Sequence, residues 1–366
     1  MTTDLAARHL GAGAVAASDD SFGPKELLLQ PGPVSFVPGR YDHRGEVVDG
    51  WETRRRGPGE DWVIVRLALP GVVESIDVDT SSFTGNAPTS CRVQATAAAG
   101  HPAPGELTCW QDLVSDTALV PDAHNVIAVD DRRRWTHLRL WIVPDGGVGR
   151  LRVRGTPLVD PRLLDGLTVD LASQELGAEV VGASDAFYSP AEALLRPDRP
   201  RTMGEGWETR RRRGPGFDVV LVRLGLPGLP RLVELDTTHF VHNASCAVAL
   251  WTLSSSVVPA QDDPRWVPLL PLTRLQPDTR HTFRVEGQIA SHVRLDAHPD
   301  GGLARLRVVG PVSPQARAQA AIDWLDALPD SHAQELGLPT ATLAARPYRT
   351  VAALTAADPA LARLLL

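Results

Sequence analysis

At 366 residues the chain is longer than one compact core accommodates and suits two domains of ordinary size. A net charge of -7, a pI near 5.9 and no basic block beyond short arginine runs argue against a nucleic-acid or membrane partner, and favour soluble small-molecule chemistry. Cys91, Cys109 and Cys246 lack metal-ligand spacing and read as reduced thiols; with Asp4, Asp19 and Asp20 near the N-terminus and no apolar run of signal or spanning type, a cytoplasmic protein is expected.

Along the chain, the first informative stretch is Phe22-Gly23-Pro24-Lys25-Glu26, which holds the only lysine among 37 basic residues. An ammonium can shift its pKa and release a proton where a guanidinium cannot, so Lys25 is a candidate acid with Glu26 as its base; a surface ion pair is the plainer reading. Next comes Gly50-Trp51-Glu52-Thr53-Arg54-Arg55-Arg56, where a strand would place Arg54 and Arg56 on one face and Arg55 on the other. Such planar forks suit a carboxylate or ureido carbonyls, or pair with Glu52 or Asp49 to pin a turn.

Apolar residues then alternate at period two: Val63, Val65, Leu67 and Leu69, later Leu138, Leu140 and Ile142, then Leu151 and Val153. These are antiparallel strands, and Pro144-Asp145-Gly146-Gly147 between the last two runs reads as a hairpin turn. Asp79-Thr80, Phe83 and Asn86 follow a strand end, where Asp and Asn commonly cap loops. His137 simply starts a strand, as does His292, and no histidine has metal-ligand spacing. No cofactor and no metal ligand set is expected, with a divalent-ion requirement left open.

Residues 156–181 read as a connector, and then the text repeats at an offset of about 156 positions. Ser184-Asp185, Tyr188, Pro190, Glu192, Gly206 through Arg212, Asp236-Thr237, Phe240, Asn243, His292 and Pro299–Gly302 answer to the first set, although Ala191 stands where the first copy has Lys25. His239, where the first copy has Ser82, titrates near neutrality. From Pro314, alanine and leucine dominate, and Ala318, Ile322, Leu325 and Leu328 fall at helical spacing. The fold expected is all-β: two tandem jelly-roll sandwiches at 16–156 and 182–311, and a short helical extension at 312–366.

Phe22, Pro24-Lys25-Glu26, Asp49 through Arg55, Asp79-Thr80 with Phe83, Gly85-Asn86, Pro88 and Pro144–Gly147, with the second set, resemble the allantoicase family over residues 16–310. The resemblance implies two galactose-binding-like jelly rolls and hydrolysis of allantoate to ureidoglycolate and urea. Departures are Glu205 for aspartate, Ser82 for histidine, Phe217-Asp218-Val219 for a His-Asp-Trp-like pattern, and His242 for glycine. The tail's Trp324–Pro329 is similar to a stretch of the decarboxylase domain of neighbouring uricase-pathway enzymes, but is too short to form it.

Releasing urea needs an acid, a base and a carboxylate anchor. Lys25, Glu26 and Asp49 are the expected catalytic set, with Lys25 or a histidine as acid. Trp51, Glu52, Arg54, Arg55, Asn86, Trp207, Glu208, Arg210, Arg211, His239 and Asn243 are the expected binding set. On this expectation Lys25→Ala lowers turnover and Arg55→Ala raises KM. The alternatives are a hydrolase of a related ureido or guanidino compound, and a non-catalytic carbohydrate or small-molecule binder, which 5% aromatic content disfavours. A homo-oligomer is expected.

Overall fold

The computed structural model describes residues 3–55 and 59–365. By internal contacts the chain divides into two units, one built from residues up to Val159 with Ile322–Pro359, the other from Asp160–Ala321 with the last turn from Ala360. Each unit is organised around a jelly-roll sandwich.

In the first unit the strand Asp61–Asp79, 19 residues long, serves both layers. Its first half pairs with Gly13–Ala17 and Arg134–Val143, and its second half with Arg150–Pro157 and His124–Ala128. Ser90–Thr96 and Gln111–Ala118 complete the sheet beyond Arg134–Val143. The crossover lies at Pro70-Gly71, where a Cβ on Gly71 would stand 2.3 Å from the Thr156 carbonyl oxygen. The alternating residues Val63, Val65, Leu67, Leu138, Leu140, Ile142, Leu151 and Val153 all fall in one buried core, as period-two patterning requires.

In the second unit the corresponding strand is broken into Asp218–Gly228 and Leu232–Asp236, and the layers separate into a five-stranded and a four-stranded sheet. Val220, Val222, Leu224, Val293, Leu295, Leu306 and Val308 fill its core.

Three expectations change. Both sandwiches extend upstream of residues 16 and 182: Thr3–Asp4 pairs with Arg154-Gly155, and Val169–Asp170 with Val309-Gly310. In each, the aspartate accepts a hydrogen bond from a strand amide, Val153 N at 3.0 Å and Val308 N at 2.9 Å. The repeat offset is therefore about 166 positions before the Gly-Trp-Glu motif and about 156 after it, because the loop between Gln30 and Asp49 is about ten residues longer than its counterpart. Pro144–Gly147 is also not a hairpin turn. Next to this segment the strands it joins pair with opposite ends of Asp61–Asp79, Ile142 with Asp61 and Arg150 with Asp79, while Gly147-Val148 pairs with Trp51-Glu52.

The extension from Pro314 to Leu365 is helical, in five short segments. Ile322, Leu325 and Leu328 are buried. The Arg346 guanidinium donates to the Leu325 and Leu328 carbonyls at 3.0 and 2.6 Å, in and just past the last turn of helix Pro314–Ala327.

Candidate active site

The repeated polar motifs meet at one end of each sandwich. In the first repeat, the short strand Trp51–Glu52 is clamped on both sides. Glu52 exchanges backbone hydrogen bonds with Gly23, while Thr53 N donates to the Gly146 carbonyl and the Thr53 hydroxyl accepts from Gly146 N, both at 3.1 Å. Gly146-Gly147 can approach because neither has a side chain: a Cβ on Gly147 would lie 2.0 Å from the Phe83 ring. Gly147 N donates to the Asn86 carbonyl at 2.8 Å, so Asn86 and Glu52 are brought side by side. The Asn86 amide then donates to Glu52 Oε1 at 2.8 Å.

Glu52 and Asn86 line a cleft of about 420 Å³ that the long loop completes with Val34, Phe36, Glu46 and Asp49. Burial raises the Glu52 carboxyl above the usual glutamate range, against the opposing pull of the Asn86 amide and the Arg55 charge. Asp49 accepts from Ser35 N at 2.8 Å and from Arg150 Nη2 at 2.7 Å. Arg150 is almost wholly buried and spends its remaining donors on the carbonyls of Gly32, Pro33, Asp49 and Gly149, stitching both ends of the long loop to the sheet.

Several expected site residues lie elsewhere. Trp51 and Trp207 are fully buried, and each indole N–H donates to a backbone carbonyl, Asp19 at 2.8 Å and Asp185 at 2.9 Å; they hold the motif in place and present nothing to the cleft. Lys25 Nζ sits 2.8 Å from Glu26 and 3.4 Å from Asp20, and neither Lys25 nor Glu26 lines the cleft. The Glu26 hydrogen bond drives the Lys25 pKa up, so the expected division of acid and base roles gives way to an ion pair that holds its proton. Arg54 and Arg55 are exposed and follow the end of the strand rather than continuing it. Arg54 pairs with Asp19 at 2.8 Å; burial opposes ionisation of that aspartate, yet the hydrogen bonds from Arg54 and Ser21 bring it down to about 2. Arg56 lies outside the described residues.

The second repeat reproduces the scaffold with a different loop beside it. The Asn243 amide donates to Glu208 Oε1 at 2.6 Å, and Gly301 N to Thr209 Oγ1 at 2.8 Å. The short loop here folds back over the pair: Met203 Sδ stands 3.1 Å from Asn243 Nδ2, and the Pro200 carbonyl 3.1 Å from His239 Nε2. Arg305 does the work of Arg150, but its acid partner is Asp198 at 2.7 Å, while Glu205 turns to Arg201. Arg210 lies over the Phe187 ring and Arg211 is exposed. Ser82 and His239 share one left-handed backbone position, each amide bonded to an aspartate, Asp122 or Asp278. Asp79-Thr80 and Asp236-Thr237 cap loops through side-chain to backbone bonds.

Arg150 and Arg305 were legible: Arg-Leu-Arg-Val stands at both places, but reads as ordinary strand. Phe36, Glu46 and Val48 carry no repeat signal, since the counterpart of the loop that holds them is about ten residues shorter and differs in sequence. Among the described residues no group of three or more His, Cys, Asp or Glu is placed to hold a metal ion.

Duplicated jelly rolls, each with a carboxylate–carboxamide pair and the first with that pair in a small cleft, define a tandem-sandwich protein. The allantoicase repeat matches residues 3–158 and 169–313, and the chain belongs to the allantoicase family. It is 48% identical over 314 residues to a probable allantoicase from Nocardia farcinica, covering 84% of this chain and 93% of that one. It is 43% identical over 335 residues to one from Streptomyces coelicolor, covering 87% and 88%. The crystal structure of allantoicase from Saccharomyces cerevisiae is similar with a TM-score of 0.71 at 28% identity, covering 84% of this chain and 93% of that one.

Proposed function

We propose that the first-repeat cleft is where this enzyme hydrolyses allantoate to ureidoglycolate and urea in purine degradation, with Glu52 moving the proton. Family membership supports the reaction. The observation that carries the site is Glu52 itself: half-buried, lining the cleft, fixed by Asn86, and of raised pKa.

Allantoate's central carbon bears a carboxylate and two ureido groups. Glu52, ionised, takes a proton from water as the water oxygen bonds to that carbon; the carbon–nitrogen bond breaks, and Glu52 returns the proton to the departing nitrogen. One carboxylate serves both steps best when its pKa stands nearer neutrality than a solvated glutamate's. Arg55, close enough to act on the Glu52 charge, anchors the substrate carboxylate at the rim. Asp49, held by Arg150 and Ser35, accepts from ureido N–H groups and orients the leaving urea. The test is urea release from allantoate by the purified protein and by Glu52→Gln. Urea release undiminished in the variant, or absent in both, overturns the assignment.

A cytoplasmic, homo-oligomeric enzyme belongs to the same reading. Three cysteines without disulfide partners favour the compartment. The open edge of His124–Ala128, with Val126 exposed, favours pairing between copies. Light scattering at a monomer mass would remove the oligomer.

A further inference from the structure

Away from the candidate active site, on the strand pairs that carry His137 and His292, both sandwiches hold the same buried wiring. In the second repeat His292 is 3% exposed and lines a cleft of about 600 Å³ with Arg223, Ser256 and Val257. Its Nδ1 lies 2.9 Å from Ser291 Oγ. That hydroxyl already accepts from Ser255 N at 2.9 Å, and its one hydrogen has the Ser255 carbonyl at 2.9 Å and the Leu253 carbonyl at 3.4 Å as acceptors. The remaining contact is satisfied only if Nδ1 carries the proton and donates. In a neutral imidazole this leaves a bare lone pair on Nε2. Among the described residues that atom is buried and meets no hydrogen-bond partner. Nδ1 is taken up by Ser291, and the ring that carries Nε2 lines the cleft.

Arg223 stands directly opposite His292 across the strand pair, and its charge is met by Glu179 at 2.9 Å. The first repeat repeats the pattern. His137 Nδ1 is 2.8 Å from Thr136 Oγ1, which donates to the Thr96 carbonyl and accepts from Ala98 N, and Arg66 is the cross-strand neighbour. His137 and Arg66 line a cleft of about 400 Å³ with His101 and Leu107.

An acceptor beside a donor, with the local charge balanced, is complementary to a group offering N–H and C=O on adjacent atoms. A carboxylate would face the lone pair with lone pairs of its own. We propose that the cleft at His292 is a binding site for small uncharged amide or ureido compounds, the N–H donated to His292 Nε2 and the carbonyl accepting from Arg223. The His137 cleft keeps the cross-strand arginine and the Nδ1 contact, with Arg66 donating to the Gly11 carbonyl at 2.7 Å. The proposal at His292 stands on its own geometry, whatever reaction the first-repeat cleft performs.

The test is histidine-resolved ¹⁵N NMR of the full chain at neutral pH, titrated with N-methylurea and, as control, acetate. His292 should show a protonated Nδ1 and a bare Nε2. N-methylurea should move the His292 Nε2 resonance saturably, with a Kd on the order of millimolar for so few atoms, whereas acetate should not. Arg223→Gln, half-exposed and outside the core, should weaken that response at least about 10-fold without altering urea release from allantoate. A proton on His292 Nε2, a response to acetate equal to that of N-methylurea, or a resonance that N-methylurea leaves unmoved overturns the proposal.

Discussion

Glu52 carries the chemical burden, and its raised pKa has consequences of two kinds. As a base it must be ionised, so activity falls as pH drops through a value above the ordinary glutamate range. Because the Asn86 amide favours the charged form, Asn86→Ala should move that acidic limb to still higher pH. Glu52→Gln should lower kcat by at least about 100-fold, whereas Arg55→Ala should chiefly raise KM. Lys25→Met, which breaks a partly exposed ion pair away from the cleft, should change kcat by less than about threefold. For stability the sign reverses. A carboxyl raised on folding contributes stability below its unfolded pKa and loses it as pH rises through the folded one. The gain in melting temperature of Glu52→Gln over wild type should therefore be absent near pH 4 and present at pH 8; a flat difference between these would contradict the burial argument.

One loop distinguishes the two repeats more than any substitution does. Replacing residues 31–48 by the shorter second-repeat loop removes Phe36, Glu46 and Val48 and brings in the segment that covers Asn243. That chimera should fold yet lose urea release, since the scaffold of Trp51, Thr53 and Gly146 stays intact; activity close to wild type would show that the long loop does not build the site. The strands around this loop were readable because period two exposes their buried faces, and the Glu52–Asn86 pair because both residues kept their places in two copies. Three things were not. The loop differs in length and sequence from its counterpart, so repetition cannot flag it. Trp51 and Trp207 are equally well kept for packing as for binding, and sequence does not separate the two. The choice at Lys25 between the ion pair and the acid–base couple depends on where Asp20 and Glu26 point, which no spacing encodes.

Over the whole chain, duplication has left two scaffolds, and the loop beside Glu208 and Asn243 differs from the one that lines the cleft at Glu52 and Asn86. Glu208→Gln should therefore leave urea release within about twofold of wild type, because Met203 and Pro200 already cover its neighbours. What both halves still share is a neutral histidine buried beneath the sheet, and this sets how the protein fails in acid. Burial, with help from Arg66, holds His137 down to about 4 from 6.5, and burial beside Arg223 lowers His292. A histidine depressed on folding contributes stability that is complete above its unfolded pKa and lost as pH falls through the folded one. For His137 the loss amounts to about 3 kcal/mol between pH 6.5 and 4, at about 1.4 kcal/mol per unit. Asp19, held at about 2, adds its own loss only below its unfolded value of 3.8. Guanidinium melts should accordingly show stability declining well before carboxylates protonate, and His137→Gln should flatten the slope between pH 6.5 and 4 while leaving the steeper fall at lower pH in place. A slope unchanged by that substitution would mean that the imidazole ionises without leaving its site.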